Sequence, residues 1–327
     1  MNQIGQQFRL SIFGESHGPK VGVSIDGIPP GIALDVDDFS NDLQRRRTGG
    51  TGTSTRLESD QPEIISGHFN GFTTGAPLTI IFTNESQKST DYSFVKNSPR
   101  PGHADFVADW KYRGFEDYRG GGHFSGRLTL CLVASGVIAK KILSSCHFSA
   151  KVIEIGGNAD TEEGLQKAIL KQDSVGGLIS CEITGVPIGL GEPFFDSLES
   201  KIAHLAFAVP AVKGIEFGSG FSASRMYGSE HNDALLDKDG FTATNNSGGI
   251  NGGISNGNPI NFRVAIKPAS STPKEQFSFN KHLNAPAPIK VTGRHDLCIA
   301  LRAPVVMEAI AAIALADAFL CNNSFHI

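Results

Sequence analysis

Cysteine, methionine and tryptophan are scarce in this chain. Its 327 residues hold five cysteines, three methionines and one tryptophan. The cysteines (Cys131, Cys146, Cys181, Cys298, Cys321) are scattered, odd in number and never spaced as CxxC. That argues against a disulfide framework or a thiolate zinc site and favours reduced thiols in a cytoplasmic protein. No HExxH pair occurs, so no metal site is expected. There is no GxxxxGK[ST] loop, and no glycine fingerprint opens a helix after a strand, so P-loop and Rossmann nucleotide binding are set aside. No Pro/Ser-rich linker, charge block or repeat divides the sequence, and one domain spanning residues 1–327 is expected. The start, MNQIGQQFRL, has no apolar run and does not read as a signal peptide. The longest apolar stretch, Ala303 to Leu320, contains Glu308 and Asp317; a buried or subunit-facing helix explains it better than a membrane span. Global positive charge is also missing. The net charge of −4 and pI of about 6.2 create no field for nucleic acid or a membrane surface.

Glycine is what the chain has in excess, with 38 residues against a usual share of about 7%. Clusters stand at Gly120-Gly121-Gly122, Gly248-Gly249 and Gly252-Gly253. Glycine reaches positive φ and lets backbone approach a ligand closely, so clusters among polar side chains read as ligand loops as readily as flexible ones.

Hydrophobic periodicity supplies the elements. Val21, Val23 and Ile25 alternate as a strand. Asp35 can cap a helix through Phe39 and Leu43 to Arg45, Arg46 and Arg47. Leu128 to Leu143 reads as a mostly buried helix, Thr161 to Gln172 as an amphipathic one. Leu198, Ile202 and Leu205 repeat at helical spacing, and Pro304 to Leu320 forms a last helix whose proline suits a first turn. Short strands are expected at Lys151–Ile155, Leu178–Thr184, Ile215–Phe217 and Phe262–Ile266. The order is irregular, without a βαβ rhythm, which indicates an α+β fold.

Five segments could carry chemistry. Gly14-Glu15-Ser16-His17-Gly18 is a tight turn presenting a histidine, a proton carrier near neutral pH. It matches GxSxG, but Pro19 and a strand follow where a nucleophile elbow needs a helix, and Gly253 to Gly257 matches as well. Arg45-Arg46-Arg47 precede a Gly/Thr loop, and guanidinium forks suit carboxylates and phosphates. The three point different ways on a helix, so at most one or two share a pocket. Between Arg100 and Arg127 lie RPGHAD, the triple glycine and His123-Phe124-Ser125-Gly126, leading into the apolar helix, a favourable place for an anion. Lys267-Pro268-Ala269-Ser270-Ser271 offers a cation and hydroxyls. Gly293-Arg294-His295-Asp296 offers a cation, a proton carrier and a carboxylate. Singly, most of these also suit solvated turns. Together they describe a site for a multiply anionic ligand with histidine proton donors. A nucleic-acid-binding reading of the Arg/Gly loops is the rival from another class, disfavoured by the acidic chain and sparse aromatics.

GESHG, RPGHAD, the GGG loop running into Ser125-Gly126-Arg127, PAVKGIEFG, GGINGGISNG, KPASS and GRHD stand in one order along nearly the whole chain. In this the sequence resembles the chorismate synthase family. The resemblance implies a helical layer sandwiched between antiparallel β-sheets and a homotetramer. It implies a carbon–oxygen lyase that eliminates phosphate 1,4 from 5-enolpyruvylshikimate 3-phosphate. The product, chorismate, closes the last common step of aromatic amino-acid biosynthesis. The cofactor implied is reduced FMN, in a flavoprotein family associated also with FAD and NADP. Some family members reduce their own flavin with NADPH, and others take electrons indirectly through an external reductase. No appended reductase domain is visible here, so an external flavin reductase is the expected partner. By the same resemblance His17 and His103 protonate the departing phosphate and the flavin between them, and Asp296 helps remove the C6 proton through the flavin. Ser16 and Ser125 orient these groups. Arg46, Arg47, Arg100 and Arg127 hold the substrate's anions. His123, Phe124, Ser125, Pro210, Ala211, Gly252, Lys267, Pro268, Ala269, Ser270, Ser271 and Arg294 match flavin-binding segments. Two departures stand out. Gly122-His123-Phe124-Ser125-Gly126-Arg127 replaces the Gly-Arg-Ser-Ser-Ala-Arg of most members, and Gly50-Thr51-Gly52 stands where many have a further arginine. An inactive flavin-binding homologue is therefore the alternative.

Overall fold

A computed structural model describes residues 2–56, 58–85, 92–291, 293 and 295–323. In chain order the strands are β1 (Gln3–Ile4), β2 (Arg9–Gly14), β3 (Lys20–Asp26), β4 (Glu63–Ser66), β5 (His68–Phe69), β6 (Phe72–Thr73), β7 (Leu78–Thr83), β8 (His147–Ile155), β9 (Gly177–Thr184), β10 (Val212–Phe217), β11 (Ile250–Asn251), β12 (Ile254–Ser255), β13 (Ile260–Ile266), β14 (Glu275–Asn280) and β15 (Ala285–Lys290). The α-helices are α1 (Ser40–Arg46), α2 (Asp105–Tyr112), α3 (Thr129–Ile142), α4 (Thr161–Lys171), α5 (Leu198–Ala208), α6 (Gly228–His231) and α7 (Pro304–Asn323).

Two antiparallel sheets enclose the helices. One has the order β1-β2-β3-β7-β4, the other β10-β13-β9-β8. In β3 the alternation seen in the sequence is realised: Val21, Val23 and Ile25 are fully buried beneath the helical layer, and α3 packs on that strand. On the opposite side α7 covers β8 and β9, and α5 lies against β10. Helices α3 and α7 form the centre of the layer. Gly136 makes their approach close, since a Cβ there would sit 2.5 Å from the Cβ of Ala309. Runs of alanine on α7 serve the same end. The helix is long and apolar enough to cross a bilayer, yet most of it is buried between protein neighbours. One continuous buried core runs from Phe8 to Ala318.

The fold is therefore α+β, a helical layer between antiparallel sheets, as the resemblance implied. Asp35 caps a short 3-10 turn that runs into α1. Three features of this architecture position chemistry. The GESHG turn is the connection between β2 and β3, whose register pairs Gly14 with Val21. The triple glycine precedes α3. The segment from Cys298 leads into α7 and brings Asp296 beside the loop that follows α1.

Candidate active site

A cavity of about 580 Å³ opens among the loops at the ends of α1, α3, α5 and α7, within the range of about 300–1,000 Å³ usual for cofactor and small-molecule sites. Among the described residues its lining holds seven arginine or lysine side chains and three carboxylates. The chain as a whole is acidic, so positive charge has been concentrated here.

The consecutive arginines at the end of α1 diverge. Arg45 turns into the helical layer, donating to Glu308 at 2.8 and 2.6 Å. Arg46 and Arg47 line the cavity. Arg46 is buried, and its donors go to Thr129 Oγ1 at 3.0 Å, to Asp60, and to the Gly126 and Arg127 carbonyls at 3.2 Å. Burial first, and then the neighbouring Arg302 charge, push its pKa down to about 9, so it remains a cation at neutral pH. Arg127 is also buried; its Nη1 pairs with Asp60 and its Nε donates to Asn84 Oδ1 at 2.9 Å. Asp60 thus sits between two guanidinium groups and offsets part of their repulsion. Arg47 is exposed at the rim and donates to the Ser59 carbonyl.

His103 stands on the RPGHAD turn where α2 begins. Its Nδ1 lies 2.6 Å from Asp105 Oδ1. Contacts of 3.1 and 3.3 Å from Arg100 and the Asp105 N–H also reach Nδ1. The shorter contact, to a charged acceptor, assigns the proton to Nδ1, leaving Nε2 toward Gly121 and the cavity wall. Arg100 holds both oxygens of Asp105 at 2.8 Å and donates to Ser271 Oγ at 3.0 Å. Burial alone would raise the Asp105 pKa; hydrogen bonds from Arg100 and His103 outweigh it and hold the carboxyl well below the usual range.

His17 is buried behind Gly120. A Cβ at Gly120 would lie 2.5 Å from His17 Cδ2 and 2.6 Å from Nε2, so any larger residue would displace the imidazole or seal it from the cavity. All three glycines have positive φ, at 59°, 81° and 53°, a backbone path that other L-residues rarely follow. Gly120 faces His17 and Gly121 faces His103, so the loop separates the two imidazoles. Tyr92 meets His17 edge-on at 5.2 Å and lies beneath Arg100 at 5.6 Å. Ser16 is fully buried; its N–H donates to the Gly122 carbonyl at 3.0 Å, and its hydroxyl accepts from Arg56 at 3.3 Å. Ser125 lines the cavity and caps the turn ahead of α3, accepting from the Arg127 N–H at 3.3 Å.

Asp296 lines another wall, accepting from the Ser54 N–H and from Arg302 Nη2, each at 2.7 Å. Lys267 donates to the Gly102 carbonyl at 2.6 Å and to Ser270 Oγ at 3.0 Å. Burial, then the nearby Lys213 charge, lower its pKa. Pro268, Ala269, Ser270 and Ser271 line the cavity with it, as do Pro210 and Ala211, the latter at φ 76°. His123 and Phe124 are in the lining too. His123 Nδ1 donates to the Gly14 carbonyl at 2.8 Å, bracing the base of the His17 turn. Gly252 is apart from the lining. The neighbouring Gly253 carbonyl accepts the first N–H of α5, while the far end of α5 reaches the cavity, about 16 Å along the helix at 1.5 Å per residue. Arg294 lies outside the described residues.

Lys267 with its serines, and an apolar wall from Phe124, Phe207, Pro210 and Val306, fit a phosphate-bearing flavin. The sequence reading did not single out Arg56, Asp60, Asn84, Tyr92 or Arg302. Asp60 and Asn84 find their partners far along the chain, Arg127 among them, whereas Arg56 and Arg302 pair locally, with Glu58 and Asp296, in segments without a recognisable motif of their own.

Fold and cavity together define a small-molecule enzyme whose ligand carries several negative charges, with oriented imidazoles at the wall. Comparisons with known proteins narrow that class. The chorismate synthase family model matches residues 8–320. A chorismate synthase from Chitinophaga pinensis is 62% identical, covering 99% of this chain and 98% of its own. One from Korarchaeum cryptofilum is 44% identical, with 96% of each chain covered. A chorismate synthase crystal structure superposes with a TM-score of 0.74 at 26% identity, covering 98% of this chain and 93% of its own. The chain belongs to the chorismate synthase family: it is a lyase of aromatic amino-acid biosynthesis that uses a reduced flavin.

Proposed function

We propose that the cavity takes reduced FMN together with 5-enolpyruvylshikimate 3-phosphate and releases chorismate and phosphate. The observation carrying this reading is the pair of imidazoles on either face of the triple glycine, beside a cavity with seven cationic side chains in its lining. A reduced flavin held here would supply the electron density that loss of phosphate requires. Lys267, Ser270, Ser271, Pro210, Ala211, Ser125 and Phe124 would hold it. Arg46, Arg47, Arg100 and Arg127 set a positive potential over the substrate's carboxylates and phosphate. Preorganised charge of this kind is commonly the largest catalytic contribution. Arg46 and Arg127 act mainly through that potential, because their donors are committed to protein acceptors; Arg47 at the rim is better placed for direct contact. His103, oriented through Asp105, presents Nε2 as one proton carrier; His17, buried directly behind Gly120 of the cavity wall, is the other. Asp296, fixed by Ser54 and Arg302, serves as the proton acceptor. Ser16 and Ser125 hold turns and do not present nucleophiles.

We further infer a cytoplasmic homotetramer supplied by an external reductase. Phe194, Phe195, Phe221 and Tyr227 are each at least 79% exposed, more apolar surface than a monomer keeps without use. The electron source is tested by combining FMN and substrate with NADPH alone, with NADPH and a flavin reductase, or under photoreduction. Turnover is expected in the last two. Turnover with NADPH alone would replace the external reductase by intrinsic reduction. Flavin binding without turnover in any arm would favour the inactive homologue.

A further inference from the structure

We propose that Asn84 is a positioning residue for the reaction: its carboxamide holds the turn that carries His17 in place against the Arg127–Asp60–Arg46 ion cluster. The proposal rests on the reading of His17 as a proton carrier. Sheet register brings Asn84 there. Lys20 at the start of β3 pairs with Thr83 at the end of β7, so the next residue, Asn84, lies beside Pro19 and donates its N–H to that carbonyl at 3.1 Å. The side chain is 8% exposed. Its Nδ2 donates to the Gly18 carbonyl at 2.8 Å and to the Glu15 carbonyl at 3.1 Å, the two residues that flank Ser16-His17. Its Oδ1 accepts from Arg127 Nε at 2.9 Å. A guanidinium can only donate and a carbonyl only accept, so the carboxamide has one permitted orientation. One side chain thereby couples His17 to the cations over which the phosphate would leave. The turn's other supports lead elsewhere. The Ser16 N–H reaches the Gly122 carbonyl, and Arg56 reaches Ser16 from the loop after α1.

Aspartate at this position would keep the bond to Arg127 but set a carboxylate oxygen against two carbonyls, driving the turn away. The test measures kcat, KM, flavin affinity and thermal unfolding for His17→Ala, Asn84→Asp, Asn84→Ser and the double variant His17→Ala/Asn84→Asp. Expected is a fall in kcat of about 10- to 100-fold for Asn84→Asp, in line with the cost of a displacement near 1 Å, with KM within about threefold. Asn84→Ser should move the same way, and it decides the matter should the aspartate variant fold poorly. The double variant should be no slower than His17→Ala within about twofold, because residues acting through one another are not additive. A kcat within about twofold of the parent for folded Asn84 variants overturns the proposal. So does a double variant slower than His17→Ala by the full Asn84 factor. Normal turnover by His17→Ala alone would remove His17 from the mechanism and this proposal with it, an outcome visible in that single variant.

Discussion

His103 shows how one residue's role depends on a partner two places away. Asp105 fixes the imidazole through Nδ1 at 2.6 Å, and Arg100 fixes Asp105. Asp105→Asn should lower kcat by about 100-fold, the scale of a lost or misdirected proton carrier, while flavin affinity stays near the parent's; an unchanged kcat would remove this dyad from the mechanism. The same carboxylate ties stability to pH. Its folded pKa is depressed, so its contribution is fully present above the unfolded value near 4 and is lost as pH falls toward the folded one. The difference in Tm between parent and Asp105→Asn should therefore be largest near neutral pH and shrink below about pH 4. A difference that grows on acidification would contradict the sign. Motif residues such as His17, His103 and Asp296 were legible in the sequence because each sits in a compact polar string. Asp60 and Arg302 were not. The role of Asp60 arises from Arg127, 67 positions away, and that of Arg302 from the fold that brings it onto Asp296; local pattern marks neither.

At the scale of elements, the loop Gly120 to Gly126 offers a matched comparison. Gly120→Ala must place a Cβ at positive φ and 2.5 Å from His17, so kcat should fall by at least about tenfold as the imidazole is displaced. Gly126→Ala has nothing within 4 Å and no positive φ, so turnover within about twofold of the parent is expected. Equal effects at the two positions would show that the His17 contact is not what the loop protects. Buried helices and alternating strands were readable from periodicity. Helix α3 runs over Thr129–Ile142 inside the expected Leu128 to Leu143, and β3 over Lys20–Asp26 contains the expected alternation. Elements whose apolar residues face outward were not. On α2, Phe106, Val107 and Trp110 are all exposed, so no apolar stripe reports a core face. In β15, Pro286 and Pro288 break the strand pattern, and a two-stranded hairpin with β14 tolerates them.

At the scale of the whole molecule, a buried charge cluster ties the helical layer together. Glu308 on α7, 1% exposed, receives Arg45 from α1, Lys140 from α3 and the Ala150 N–H of β8. Glu308→Leu should cost about 3 kcal/mol in urea unfolding, the lower end for breaking a buried pair, since Arg45 and Lys140 retain some contact with water. A loss under about 1 kcal/mol would show that the layer is held by packing alone. Assembly is open to direct measurement as well. Light scattering should give a tetramer, and Phe194→Asp with Phe195→Asp should shift it to smaller species; a monomeric parent would refute the inference from exposed aromatics. The central claim, that this cavity expels phosphate with a reduced flavin's help, is tested most directly by anaerobic turnover of 5-enolpyruvylshikimate 3-phosphate with photoreduced FMN, following chorismate and phosphate together. Equal yields of both, absent with oxidised flavin, are expected; no product from an enzyme that demonstrably binds flavin would contradict it.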